Sequence, residues 1–323
     1  MPRSANASVE ALVAALEVGA PGRVTGVVDA RRLPAGASRE TWLLDRGDDD
    51  ALVLRLDTPG SVDSGALLRE ADCMRAAGAA GVPSPEVLAA GVGPGPLAGG
   101  FVLMGHVAGE SVPQRILRDD AYAGLRDRFA GDCGAILARL HRIDPAPLAA
   151  AGLPAGDQLD VWSAELAKDP DPHPILDHVG AWLRRHRPAP VAPRLVHGDF
   201  RLGNVIVGRD GIRAVLDWEL AHVGDPCEDL AWLTVRAWRF GRAPEVAGCG
   251  SVEDLLTSYT EAGGEPVDPE RLLWWQVMGC YRWGAICRHQ VGRHLSGAER
   301  SVELAAIGRR VAEAEYDAML LLG

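Results

Sequence analysis

Apolar positions follow two rhythms along the chain. Residues 9–18 repeat at helical spacing. Three short β-like runs follow, at 23–30, 41–45 and 51–56. The polar loop 31–40 between the first two carries Pro34, Gly36 and Ser38, so these runs predict a hairpin with a flexible tip. Residues 65–81 place Leu67, Leu68, Ala71 and Met74 on one helical face, and two more apolar runs lie at 86–91 and 100–106. Beyond Gly109 the helical period takes over, at 121–143, 157–167, 174–187, 226–239, 252–262, 270–294 and 298–321. One non-helical island, 194–219, interrupts it with apolar runs at 194–196, 205–207 and 214–216. A compact island of loops and strands on a rigid helical scaffold is a natural place for chemistry.

Composition narrows the function. The chain has 323 residues, enough for two domains at roughly 150 each. The pattern divides it into 1–106 and 107–323. Eight of the nine tryptophans lie beyond residue 160, which puts the larger core there. The net charge of −11 argues against nucleic acid and against anionic membranes, both of which need a basic footprint. Lys168 is the only lysine and sits in Ala167-Lys168-Asp169, which rules out a Gly-Lys-Ser/Thr phosphate loop. The six cysteines form no C-x-x-C pair and fit no zinc spacing. The longest stretch without a charged side chain, 87–109, contains two prolines and seven glycines and cannot span a membrane as one helix. The N-terminus lacks a signal-peptide core, so a cytoplasmic protein is expected, as a monomer or homodimer.

The island reads Leu195-Val196-His197-Gly198-Asp199-Phe200-Arg201-Leu202-Gly203-Asn204, followed by Val215-Leu216-Asp217-Trp218-Glu219. Asp199 follows an apolar run and projects from the turn after it. If the next two runs form a hairpin, Asn204 and Asp217 meet at its open end. They would supply two hard oxygen ligands for Mg²⁺, leaving room for water and phosphate oxygens. Asp199 would stand beside them, free to orient a hydroxyl and accept its proton. A base, a metal-binding amide and a metal-binding carboxylate are what phosphoryl transfer from a nucleotide requires.

This stretch, with Gly224-Asp225-Pro226-Cys227-Glu228-Asp229-Leu230-Ala231-Trp232 after it, resembles the aminoglycoside phosphotransferase/choline kinase-like family. It is most similar to the branch that includes kinase-like domains linked to acyl-CoA dehydrogenases. The resemblance runs from about residue 22 to the C-terminal helix. It implies an α+β, protein-kinase-like fold of two lobes: a small N-terminal lobe with a five-stranded antiparallel sheet and a larger, mainly helical C-terminal lobe. It implies Asp199 as catalytic base, Asn204 and Asp217 as Mg²⁺ ligands, His197 as an orienting residue and Asp229 as support for the catalytic loop. The co-substrate would be ATP or GTP, and the acceptor a hydroxyl on a small molecule.

The small lobe would hold the nucleotide. Alternation in Ala51-Leu52-Val53-Leu54-Arg55-Leu56 sets Val53 and Arg55 on one face and the three leucines on the other. Arg55 stands where kinases place a phosphate-binding lysine, and Glu70, flanking the apolar stripe of 65–81, is the best carboxylate to pair with it. The tip around Gly36 and Ser38 resembles the family's phosphate-covering turn. Backbone groups from Met104 to His106 would meet the adenine edge by the same resemblance. Trp274, Trp275, Trp283, Arg282 and Arg288 share one predicted helix, and C-terminal helices line the acceptor pocket in this family.

Two other motifs fail. Gly93-Pro94-Gly95-Pro96-Leu97-Ala98 has the letters of a dinucleotide fingerprint, but its prolines remove amides and a strand follows. A metal hydrolase built on His197 and Asp199 would need more histidines than nearby His222. The rival from another class is a pseudokinase, binding nucleotide or ligand without turnover. The acceptor stays open between a hydroxyacyl thioester or acid and an aminoglycoside-like alcohol.

Overall fold

The computed structural model describes residues 9–33, 39–47, 50–57, 63 and 65–323. The tip containing Gly36 and Ser38 lies outside them. Helix α1 (Val9–Gly19) precedes five strands, β1 (Asp29–Arg32), β2 (Arg39–Asp45), β3 (Ala51–Asp57), β4 (Val87–Gly91) and β5 (Phe101–Gly105). They form one antiparallel sheet in the order β1-β2-β3-β5-β4. Helix α2 (Ala66–Ala79) enters between β3 and β4.

The sheet has two different faces. Leu52, Leu54 and Leu56 are buried with Leu44, Phe101 and Leu103 under Leu12 and Leu16 of α1. The opposite face carries Val53 and Arg55 toward α2. There Val102 and Met104 join Leu67, Ala71 and Met74 in a core that continues into the helical part through Leu137, Leu195 and Trp218. Because apolar burial is worth about 25 cal/mol per Å², this shared core fixes α2 against the larger part of the molecule. Glu70, on α2, is thereby held in a defined place over the sheet.

The helical part comprises α3 (Pro113–Arg118), α4 (Ala123–Leu140), α5 (Ala146–Ala150), α6 (Gln158–Leu166), α7 (Pro174–Arg185), α8 (Cys227–Trp232), α9 (Val252–Glu261), α10 (Pro269–Leu295), α11 (Val302–Gly308) and α12 (Val311–Leu322). Its island contains β6 (Arg194–Val196) paired with β9 (His222–Gly224), and β7 (Val205–Gly208) paired with β8 (Gly211–Val215). Among the described residues no helix is long and apolar enough to cross a membrane.

Several boundaries differ from the sequence expectation. The run 23–30 is mostly turn and becomes a strand only at Asp29. Gly26 has φ +83°, a left-handed conformation that breaks an extended run before it can pair. The expected helix 226–239 stops at Trp232, because the Leu233 carbonyl accepts from Ala247 N–H at 3.1 Å and leaves the helical ladder. A 3₁₀ turn, Arg236–Arg239, follows. The expected helix 298–321 is divided by tight i→i−3 bonds from the Arg309 and Arg310 amides. Strand β9 and the short helices α3 and α5 were not expected, being too short to show a period.

Candidate active site

Strand β6 delivers the chain into the turn His197-Gly198-Asp199. Gly198 has φ +78°, and a Cβ there would lie 2.3 Å from the Leu220 carbonyl oxygen, so only glycine fits. The turn is held from below by Asp229 in the first turn of α8. Its carboxylate is fully buried and accepts from the His197 amide at 2.8 Å, the Gly198 amide at 2.9 Å and His141 Nε2 at 3.1 Å. Burial alone would lift the Asp229 carboxyl, but the His141 hydrogen bond and charge, with the other donors, hold it below the usual carboxylate range. His141 is steadied in turn by the Tyr259 hydroxyl at 3.0 Å.

His197 links the two halves of the island. Its Nε2 donates to the Leu216 carbonyl at 2.9 Å, and its Nδ1 accepts from the Asp199 amide at 3.1 Å. That pattern requires the neutral ring, and burial, the main cause, lowers its basicity accordingly. One imidazole therefore ties Asp199 to the segment after β8 that carries Asp217.

The Asp199 carboxylate meets three donors. Trp232 Nε1 reaches Oδ1 at 2.7 Å, Asn204 Nδ2 reaches Oδ2 at 2.6 Å, and Arg201 Nε stands 3.1 Å from both. The Arg201 guanidinium also lies over the Trp238 ring, 4.8 Å from its centre. Asn204 and Asp217 flank the paired ends of β7 and β8, where Leu216 N–H donates to the Asn204 carbonyl at 2.8 Å. Asp217 has φ 64° and ψ 63°, an uncommon left-handed conformation for a non-glycine residue, of the kind that clusters at working sites.

The donor set suits Mg²⁺. Asn204 gives its amide N–H groups to Asp199, which leaves its side-chain carbonyl oxygen for a cation. The Asp217 carboxylate is 38% exposed and only loosely approached by Arg55, at 3.7 Å. Two hard oxygens from the protein match a metal that keeps water and phosphate oxygens as its other ligands. Among the described residues there is no group of three or more His, Cys, Asp and Glu side chains able to hold a metal.

Across the cleft, Arg55 Nη1 contacts Glu70 Oε2 at 3.0 Å. The structure adds a second guanidinium to this carboxylate. Arg39, at the start of β2, pairs with Glu70 and with Asp57, the latter at 3.0 Å. Burial lifts the Glu70 carboxyl and the two arginines pull it back. Glu219 is lifted as well, first by burial and then by the charges of Asp217 and Glu70. Arg39 reaches the same carboxylate because Thr41 faces Arg55 in the β2–β3 register and Arg39 stands two residues back on the same face.

The hinge residues have fewer open groups than anticipated. Gly105 N–H donates to the Glu86 carbonyl at 3.0 Å and His106 N–H to the Ala51 carbonyl at 3.2 Å. Any base contact from Met104 and His106 must use their other backbone groups. Ser38 lies outside the described residues. Two polar neighbours of Asp199 escaped the sequence reading. Arg201 sits two residues along the same motif, and Trp232 lies one helical turn beyond Asp229, at the i+3 position that shares its face.

Known proteins share the sequence pattern and the fold. The chain is 29% identical over 329 residues to acyl-CoA dehydrogenase family member 11 of Gallus gallus, covering 91% of this chain but 41% of the relative. It therefore spans less than half of that relative's length. A putative aminoglycoside phosphotransferase from Ralstonia eutropha has a similar structure, with a TM-score of 0.75 over 97% of each chain at 20% identity. The GDP and kanamycin complex of an aminoglycoside phosphotransferase superposes with a TM-score of 0.66 at 15% identity, covering 95% of this chain and 99% of that one. These likenesses show the kinase-like fold, with its small five-stranded lobe and larger helical lobe. The sequence profile described as the phosphotransferase enzyme family matches residues 21–267, and the chain belongs to that family.

Proposed function

We propose that this chain is a small-molecule kinase that transfers the γ-phosphoryl group of ATP or GTP, with Mg²⁺, to an acceptor hydroxyl. The observation that carries this reading is the chain of contacts that brings the group together: Asn204 bonds Asp199, its carbonyl takes the amide of Leu216 beside Asp217, and Asp217 lies 3.7 Å from Arg55, which pairs with Glu70. Asp199 orients the acceptor O–H and takes its proton as the oxygen bonds to the γ-phosphorus. The bond from that phosphorus to the bridging oxygen of the nucleoside diphosphate breaks. Asn204 and Asp217 would hold Mg²⁺, which when bound neutralises charge on the phosphate oxygens. Arg55, positioned by Glu70, lies on the phosphate side of the cleft. With little covalent work for the protein, the site acts through positioning and charge.

The acceptor we favour is a hydroxy acid or hydroxyacyl thioester. Arg201 uses its Nε on Asp199, and its two terminal nitrogens donate to no protein group among the described residues. A cation with free N–H groups beside the base suits an acceptor with a carboxylate or carbonyl near its hydroxyl. A polyamine alcohol would meet Arg201 as a like charge. Glu228, also near Trp232, is already engaged by Arg282 at 2.9 Å and His222 at 3.1 Å. The relatives in acyl-CoA dehydrogenases support the same direction.

The test is release of nucleoside diphosphate from Mg·ATP or Mg·GTP across hydroxyacyl thioesters, hydroxy acids, aminoglycosides, macrolides, choline and sugars. Release with the hydroxyacyl group, lost in Asp199→Asn, is expected. Release with aminoglycosides alone would overturn the acceptor assignment. No release with any acceptor, from folded protein that binds nucleotide, would overturn the kinase reading.

A further inference from the structure

Two cavities lie away from the phosphoryl-transfer cleft, and they differ in charge balance. The one of about 240 Å³ is bounded by Arg187 and Arg271. Both arginines are already neutralised, by Asp157 and Asp225 respectively. The second, of about 180 Å³, lies between the turn Arg236–Arg239, α10 and α12. It holds two guanidiniums and one carboxylate. Arg236 pairs with Asp317 at 3.3 Å. Arg239 places its Nε and Nη2 on the Thr234 carbonyl, at 3.2 and 2.8 Å, while its Nη1 donates to nothing and the side chain forms no ion pair among the described residues. Burial, the largest influence, draws this guanidinium below its usual value despite the more distant charges of Glu245 and Asp317.

A half-buried cation without a counter-ion is costly, and an anion brought into the cavity would relieve the cost. Val235, Leu320 and Leu321 give the wall an apolar patch, beside Cys280 and the polar pair Thr234 and Gln276, whose side chains bond each other at 3.0 Å. A cavity of about 150 Å³ accommodates benzene, so this one suits a body of roughly six to eight heavy atoms. None of its lining residues belongs to the Asp199, Asn204, Asp217 or Arg55 cluster. Its floor, however, is the turn that carries Trp238, on which the Arg201 guanidinium rests.

We propose that this cavity is a binding site for a small carboxylate with a short apolar tail, its carboxylate on Arg239 and its tail against Val235, Leu320 and Leu321. The site is separate from the acceptor cleft and stands whether or not the chain turns over nucleotide.

The probe is hexanoate, with hexanol and hexylamine as neutral and cationic controls. Binding is read by calorimetry and by the rise in Tm that a native-state ligand produces. Hexanoate should bind with one site per chain, and the two controls should bind at least about tenfold more weakly, as loss of a charge-assisted hydrogen bond implies. Arg239→Gln should weaken hexanoate by a similar factor. Leu320→Asp, at an exposed position that folding does not need, should weaken it by repelling the anion. Arg201→Met should leave the affinity within about twofold, being outside the site. Absence of hexanoate binding, or equal binding of hexylamine, would overturn the proposal. So would binding that survives both Arg239→Gln and Leu320→Asp yet is lost in Arg201→Met, because hexanoate would then occupy the acceptor cleft.

Discussion

The two sides of the cleft are held by different physics. Around Asp229 the turn His197-Gly198-Asp199 is a buried knot in which one carboxylate is matched by two backbone amides and a histidine. Around Glu70 an ionic cluster sets two guanidiniums of the small lobe, Arg39 and Arg55, among four carboxylates, Asp57 and Glu70 of the same lobe and Asp217 and Glu219 of the larger one. The first is complete without a ligand. The second is short of positive charge, so a nucleotide phosphate needs a cation with it before it can approach. On the proposed function, the Asp199 side is preformed, while the Arg55 side is finished by what binds.

The comparison can be broken in several places. Asp199→Asn should reduce kcat by about 10²–10⁴-fold, the usual worth of a positioned general base, with nucleotide affinity kept; steady-state kinetics and calorimetry check both. Asp229→Ala should destabilise the fold by about 3–5 kcal/mol in denaturant titration, since it strands buried donors of the knot. Arg55→Met, on the ionic side, should cost less stability than Asp229→Ala, because Arg39 stays on Glu70, but raise the nucleotide KM by about tenfold. A stability loss from Arg55→Met as large as that from Asp229→Ala would erase the contrast.

Two buried histidines sharpen it with opposite pH slopes. His222 has Nδ1 on the Leu220 carbonyl and Nε2 on Glu228, so both nitrogens donate and the ring is charged. Burial opposes that charge, but Glu228 outweighs it and raises the ring above its ordinary value of 6.5. Its stabilisation is full below pH 6.5 and is lost as pH rises through the raised value. His197 is lowered by burial, so its contribution is full above 6.5 and falls away in acid. Unfolding free energies between about pH 5 and 9 should therefore pass through a maximum. His222→Gln should flatten the alkaline limb and His197→Gln the acidic one.

Much of the catalytic turn was legible because its members are close in sequence. His197, Asp199, Asn204 and Asp217 span one short island, and a hairpin suffices to join Asn204 to Asp217. The Arg55–Glu70 pair was also readable, from strand alternation and one helical stripe. Arg39 was not, because its role depends on the β2–β3 register, which pattern alone does not fix. Trp232 stood in the sequence only as part of the family stretch, and Arg282 only as one residue of a helix that lines the acceptor pocket in the family. Only packing reveals that one donates to Asp199 while the other lies 4.3 Å over that indole and pairs with Glu228. The short strand β9 and the end of α8 at Trp232 were set by pairing and by the Ala247 bond, neither of which leaves a periodic trace.

The most direct test of the central claim compares Asp199→Asn with Asp217→Ala in one experiment, measuring Mg²⁺-dependent nucleotide binding and diphosphate release together. Asp199→Asn should bind Mg·nucleotide as the wild type does and release almost no diphosphate, whereas Asp217→Ala should lose the Mg²⁺-dependent part of binding. Turnover in Asp199→Asn within about tenfold of wild type, well short of the loss expected of a general base, would contradict the claim, as would unchanged Mg²⁺ dependence in Asp217→Ala.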